Sequence, residues 1–281
     1  MNAPTGEVVF ISAGPGAADL ITVRGARQLA RADVVLFDAL TDPALRELAP
    51  RAQWVDVGKR GFTDSTGQAL INALLVKHAS AGRVVARLKG GDASLFGRLE
   101  EELQALAVAG VRSEVVPGVT AAIAAAAATL RPLTRRGSGR SVSLTTAMTR
   151  EGELRASRTA DTEVFYMAGR QLAALVRRLQ AAGWPAATPC SVVSRAGWPD
   201  ARHTDHSVAT LANASVLHAG RPTVVTVGAG AAPLARPLHA TRTGERTGPE
   251  SSADAPSRHL ESAAEAEAAA ASDPTTAEFT P

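Results

Sequence analysis

The stretch VVARLKGGD, residues Val84 to Asp92, decides the fold. Val84 to Leu88 is a short, mostly apolar run, the composition of a strand buried on both faces. Two glycines and an acid follow it, then Leu95-Phe-Gly-Arg98 and a helix predicted over Gly97 to Ala109. A strand ending in a glycine turn that opens a helix is the unit from which parallel sheets are built. The unit recurs on either side. Upstream, strands are predicted over residues 7–12, 33–37 and 54–57, with helices over 20–30, 43–48 and 68–79. Downstream, Ser113 to Val116 is a fifth strand, and Pro117-Gly118 opens an alanine-rich helix reaching Thr129. This alternation predicts an α/β protein with a largely parallel sheet over residues 1–117.

Residues 118–140 read as that helix followed by a linker, because RPLTRRGSGR (131–140) is polar, basic and broken by Pro and Gly. Beyond it, strands are predicted over 141–146, 163–167, 190–194, 203–207 and 223–227, with one long helix over 170–182. So few helices among five strands predict a second α/β domain, 141–238, with more antiparallel character. From 239 to 281 the chain is Ala, Glu, Ser, Thr and Pro with almost no large apolar residue, a composition expected to stay disordered.

Composition excludes several classes. One cysteine, Cys190, leaves no disulfide framework and no Cys-based metal site. The N-terminus lacks a basic segment before its apolar residues, and the longest apolar run, Ala121 to Leu130, is half of a bilayer span. The expectation is a cytoplasmic protein with no membrane partner. The chain carries 30 Lys+Arg against 27 Asp+Glu. Eight acids and three bases fall between Ala240 and Pro281, so the rest carries a net charge of about +8. A positive body suits an anionic ligand, either a polycarboxylate or a nucleic acid.

Three glycine-bearing turns follow predicted strands: Ser12-Ala-Gly-Pro-Gly16, Leu88-Lys-Gly-Gly-Asp92 and Val116-Pro-Gly-Val-Thr-Ala121. In an open parallel sheet, strand C-termini share one edge, and ligands bind there. Glycine lets backbone approach a ligand, and a helix N-terminus favours an anionic group. The first turn departs from the dinucleotide fingerprint, since Asp19 stands where its third glycine would be. Asp92 fits either a ribose or amino acceptor or a helix N-cap. Asp38 and Lys59 follow the second and third strands, so they reach the same edge as a general base and acid, or as a strand-end salt bridge. Arg131, Arg135, Arg136 and Arg140 fit either an anion grip or a solvated linker. His203 and His206 lack a third matched ligand, so a polar edge strand is favoured over a metal site. Cys190 carries no nucleophile signature and is expected to pack.

Taken in order, GPG (14–16), FDAL (37–40), VGKR (57–60), RLKGGD (87–92), FGR (96–98), VPGVTA (116–121), PLT (132–134) and FYM (165–167) resemble the tetrapyrrole methylases over residues 8–228. Within that family, the acid after strand two with VGKR and RLKGGD is similar to the branch acting on uroporphyrinogen III. The resemblance implies two α/β domains with an interdomain active-site cleft, in a homodimer. It implies two methyl transfers from S-adenosyl-L-methionine to ring carbons, giving precorrin-2 on the way to siroheme and cobalamin, with no metal. By position, Pro15, Gly90, Gly91, Asp92, Leu95, Thr120, Ala121, Met167 and Ala196 would line the methyl-donor site. Asp38 would accept the proton and Lys59 donate one. Arg87 would touch the substrate or order the turn, and Arg135 and Arg136 would meet its carboxylates. Departures from the family pattern are Ala93 where Pro is common, Arg135 where His is common, Phe37 for Tyr, Leu99-Glu100 for glycines, and Thr146-Ala-Met148 for a Gly-His pair. The alternatives are a methylase of a later precorrin, an rRNA methyltransferase of the same fold and a binder without activity. Aromatics at 4% equip the chain poorly for nucleic acid, and Asp38, Lys59 and GGD argue against the inactive binder.

Overall fold

The computed structural model describes residues 6–58, 67–148 and 154–234, which fall in one compact unit, Met1–Ala235. The expected disorder of 239–281 lies outside the described residues. The first sheet is wholly parallel, with strands β1 (Glu7–Ser12), β2 (Val34–Phe37), β3 (Gln53–Asp56), β4 (Val84–Lys89) and β5 (Arg112–Val116) in the order β3-β2-β4-β1-β5. Successive side chains alternate faces, so each strand feeds two cores. Val8, Phe10, Val34, Leu36 and Val85 pack against Ile71 and Leu75 of α2 (Gln68–Ser80) and Leu106 of α3 (Leu99–Val108). Val9, Ile11, Val35, Ala86 and Leu88 face Leu29 of α1 (Val23–Leu29) and Leu45 on the opposite side.

Helix starts differ from expectation for local reasons. The helix predicted from Leu20 is split into a 3-10 turn at Ala18–Leu20 and α1, because Thr22 is extended and its hydroxyl caps Gly25 N–H at 3.1 Å. α3 begins at Leu99 rather than Gly97, because Arg98 is left-handed, with φ 55°. The alanine helix, α4, spans Ala121–Ala128 after an extended 117–120 segment.

The second sheet holds β6 (Val142–Thr146), β7 (Thr162–Tyr166), β8 (Pro189–Ser194), β9 (Arg202–Ser207) and β10 (Thr223–Gly228), in the order β6-β7-β10-β8-β9. Only β6–β7 is parallel, in line with the antiparallel character expected. α5 (Leu172–Ala181) lays Leu172, Leu175 and Leu179 on Phe165, Val192 and Val225. A short helix, α6 (Ser215–His218), was not foreseen.

The predicted linker is not a loose one. Arg131 is buried, and its guanidinium forks onto both oxygens of Asp205, one at 2.7 Å, and onto Ala231 O at 3.0 Å. Its charge is engaged within the protein, which removes it from the anion-gripping set.

Candidate active site

In the first sheet, β1 connects toward one edge and β4 toward the other, so the order reverses between these neighbours. A crevice opens at such a switch point outside the strand C-termini. The glycine turns meet there. Gly14 and Gly91 exchange two backbone hydrogen bonds, of 3.2 and 2.9 Å, and both have positive φ. Ser12 Oγ accepts from Ala93 N–H at 3.0 Å, a donor that proline at position 93 would lack. Asp92 ties two turns together: Oδ1 accepts from Ser94 N–H and Oδ2 from Gly118 N–H, each at 2.8 Å. It therefore staples loops rather than capping α3.

One end of the second sheet closes on these turns. Ala17 N–H donates to Gly197 O at 3.0 Å, and a Cβ on Gly197, which has φ +83°, would lie 1.8 Å from Pro15 O. Only glycine lets the two backbones approach so closely. Thr120 Oγ1 and Tyr166 Oη are 2.8 Å apart, and the Tyr166 ring lies 5.0 Å from Phe96. Burial pushes the Tyr166 phenol up, and the Asp92 charge adds to it. Pro15, Gly90, Gly91, Asp92, Thr120 and Ala121 are thus brought beside Met167 and Ala196, which follow β7 and β8; Leu95 lies in the same loop as Asp92.

The same edge carries a chain of charges. Alternation places Val85, Arg87 and Lys89 on the α2/α3 face of β4, and Val34, Leu36 and Asp38 on that face of β2. Arg87 donates to Asp38 Oδ1 at 2.6 Å and, from Nε and Nη2, to Glu102 Oε1 at 3.3 Å. Lys89 Nζ meets both Glu102 oxygens at 3.1 and 3.2 Å. Arg87, Lys89 and Glu102 are buried, whereas the Asp38 side chain keeps 30% of its exposure. Burial first, and then the Arg87 charge, holds the Lys89 ammonium below its usual value, against the pull of Asp38 and Glu102.

A family model for Tetrapyrrole (Corrin/Porphyrin) Methylases matches residues 7–212. The chain belongs to the tetrapyrrole methylases. This methylase is 43% identical over 196 residues to the uroporphyrinogen-III C-methyltransferase of Pseudomonas aeruginosa, covering 68% of this chain and 80% of that one. It is 40% identical over 228 residues to siroheme synthase 2 of Serratia proteamaculans, 79% of this chain but 49% of that longer one. The uroporphyrin-III C-methyltransferase structure from Thermus thermophilus in complex with S-adenyl homocysteine superposes with a TM-score of 0.69 at 33% identity, covering 79% of this chain and 97% of that one. A cobalt precorrin-4 methyltransferase reaches 0.72 at 28% identity, covering 81% and 96%.

Two expected residues of the methylase, Arg135 and Arg136, lie elsewhere. Lys59 is outside the described residues; Gly58, just before it, packs against Ala39 beside Asp38. Arg87 is 2% exposed, and its remaining Nη1 donates to the Leu36 and Leu88 carbonyls, so its described contacts order Asp38. Arg135 bridges Gly139 and donates to Ala232 O near the end of β10. That is the opposite end of the second sheet from Met167 and Ala196, and exposed Arg136 lies in the same turn, so neither reaches the glycine edge. A hollow of about 560 Å³ lined by Arg135, Arg158 and Trp184 lies at that far end, and another of about 570 Å³ runs along α3 past Ser94 and Leu103. Neither is lined by Asp38, Asp92 or Pro15, so the convergence of turns, rather than a hollow, locates the site. His203 Nε2 pairs with Ser191 and Asp205, and His206 with Thr204. Cys190 packs in the core, where burial pushes its thiol up to about 12.

Sequence reasoning gave no role to Ser12, Lys89, Phe96 or Tyr166, although they lie in its motifs, and missed Glu102 and Gly197. Glu102 ends an acidic run, Glu100-Glu-Glu102, which reads as solvated surface. The available signal was Arg87 and Lys89 alternating with apolar residues inside a central strand: two cations so buried require an anion.

Proposed function

We propose that this methylase transfers two methyl groups in succession from S-adenosylmethionine to ring carbons of uroporphyrinogen III, giving precorrin-2. The observation that carries the reading is the junction of the Gly14 and Gly91 turns with Asp38 on one side and the Met167 and Ala196 loops on the other. The similarity to uroporphyrinogen-III methyltransferases supports it. A second reading, methylation of a later corrin-ring substrate, is favoured by the superposition on the precorrin-4 enzyme, and the substrate assay below separates the two. The reading keeps the division at residues 117 and 141, a homodimer, and a cytoplasmic location without nucleic-acid or membrane partners. Among the described residues, no helix is long and apolar enough to cross a membrane.

The site suits the donor. A Cβ on Gly91 would meet open space, so its backbone is free to lie against a ligand. Asp92 has lone pairs left after its two backbone bonds, enough to accept from a ribose. Phe96, 40% exposed and backed by the buried Tyr166 ring, offers a ring face suited to a cation. Pro15, Gly90, Leu95, Thr120, Ala121, Met167 and Ala196 would complete the pocket. S-adenosylmethionine supplies a methyl already activated on a sulfonium, so the chain need not provide a metal. The protein's task is orientation, which fixed turns serve. Asp38, aimed by Arg87, accepts the proton released as the methylated ring rearranges. Lys59, one residue beyond Gly58, is the proposed donor of a proton.

The test is anaerobic incubation with uroporphyrinogen III and S-adenosylmethionine, following the absorbance of the dimethylated product. Asp38→Asn is expected to slow turnover by about 100-fold or more, the usual worth of a general base, while donor binding persists. Parental turnover in that variant removes Asp38 from the mechanism. Turnover only with a later precorrin selects the second reading.

A further inference from the structure

The chain of charges behind Asp38 is larger than an ion pair requires. Two cations, Arg87 and Lys89, stand two residues apart on the same face of a central strand, both 2–3% exposed. The anion between them, Glu102, is itself fully buried on α3 and also accepts from Gln68 on α2, at 3.2 Å. Desolvating three such groups is expensive, and an apolar cluster of the same volume stabilises a core at least as well. The arrangement leads somewhere: its free end is Asp38, the one partly exposed member, at the mouth of the crevice.

We propose that Glu102 is a positioning residue for Asp38. It holds Arg87 on Asp38 and offsets Lys89, so that the proton acceptor stands as the open end of an electrically balanced chain. This rests on the reading of Asp38 as proton acceptor. With Glu102 present, two negative and two positive groups alternate, and the charge behind the guanidinium is neutral. Without Glu102, Arg87 loses the acceptor that sets its plane, and one uncompensated cation remains buried near Asp38. Such a charge makes a carboxylate a weaker base. The groups facing Glu102 are Arg87 and Lys89 from β4, Gln68 from α2 and, at the start of its own helix, Arg98, which pairs with Glu101 at 2.6 Å.

The experiment compares kcat against pH in the full-length protein for Glu102→Gln, Lys89→Met and the double variant, with donor affinity measured separately. Asp38→Asn identifies the acid limb that belongs to Asp38. In Glu102→Gln, which leaves a surplus positive charge, that limb is expected to move down by roughly one pH unit, and plateau kcat to fall about tenfold. In Lys89→Met, which leaves a surplus negative charge, the limb moves up. In the double variant, neutrality returns and the limb goes back to the parent position, with most of kcat restored. Donor affinity stays at the parent value throughout. Shifts in the same direction, unshifted limbs, or a double variant as impaired as the worse single one would overturn the proposal, since a purely structural cluster has no reason to be rescued by a second loss. If Glu102→Gln fails to fold, the opposite shift in Lys89→Met and the return in the double variant still decide. If Asp38→Asn itself keeps parental kcat and limb, the reading beneath the proposal fails, independently of Glu102.

Discussion

Replacing Asp92 by asparagine tests whether the donor site is held by a staple or by the glycine turns alone. Both carboxylate oxygens accept a backbone N–H at 2.8 Å, from Ser94 two residues away and from Gly118 in the next strand-end turn. Asparagine offers one acceptor oxygen and one NH2, so one of the two N–H groups would face another donor. Bonds to a charged acceptor contribute about 1.5–3 kcal/mol each. The Ser94 bond closes a local turn that survives with the oxygen placed there, and the loss then falls on the long-range bond to Gly118. If the turns must be joined for the donor to bind, affinity falls by about 10- to 150-fold, at 1.4 kcal/mol per decade. Titration calorimetry with S-adenosylhomocysteine measures it. Asp92→Ala, which frees both N–H groups, is expected to bind at least as poorly. A folded Asp92→Asn protein binding with parental affinity would refute the staple.

The junction of the two sheets is open to a second test: Gly197→Ala places a Cβ 1.8 Å from Pro15 O in a left-handed backbone and breaks the Ala17–Gly197 bond. Strain of 1–2 kcal/mol and a hydrogen bond near 1 kcal/mol together lower the thermal midpoint by roughly 5–10 °C, read by calorimetry, and an unchanged midpoint would show the contact to be dispensable. Acid stability is a third measure. His218 is buried between Ser194 Oγ and Thr204 Oγ1, each at 2.9 Å, and desolvation lowers its imidazole from 6.5 to about 4. Between those values the unfolded chain binds more protons than the folded one, so stability rises with pH there and falls on acidification, by roughly 2–3 kcal/mol in all. Denaturant titrations from pH 7 to 4 should show that slope, and His218→Gln should flatten it; an unchanged slope would assign it to other groups.

Much of the first sheet was legible because its elements state themselves locally. Buried parallel strands are continuous apolar runs, and each glycine turn marks a strand end, so five strands and one shared edge followed without tertiary information. Asp38 could be placed there by counting from β2. What could not be read was which partner a charge would take. Arg87, Arg131 and Arg135 all looked available for carboxylates. The fold gives the first to Asp38 and Glu102 and the second to Asp205, and carries the third to the wrong end of its sheet. A net charge is a sum over the chain, whereas an ion pair depends on which elements meet, and Asp205 meets Arg131 across 74 residues. Gly197 stayed hidden for a related reason: beyond the left-handed φ of its own turn, its need for glycine arises from Pro15 on the other sheet.

Backbone strain shows where the fold serves something other than its own stability. Among the described residues, five other than glycine adopt positive φ: Phe96, Arg98, Leu130, Met167 and Arg195. Leu130 has a local cause. It follows Thr129, the C-cap of α4, and its N–H donates to Ala127 O at 3.1 Å while Arg131 N–H donates to Ala126 O at 2.9 Å, the pair of bonds that ends a helix in a left-handed residue. None of the other four follows a helix. Phe96 and Arg98 lie between β4 and α3, Met167 follows β7 and Arg195 follows β8. All four sit in loops that converge on the glycine edge, and each left-handed residue costs about 1–2 kcal/mol. Strain of that size persists only where surrounding contacts over-determine the backbone. Here those contacts include the Phe96–Tyr166 ring pair and the Arg195–Asp200 ion pair at 2.7 Å. A reaction whose barrier is lowered chiefly by alignment needs turns that do not relax when substrate arrives, and contacts within the protein hold these four residues in place.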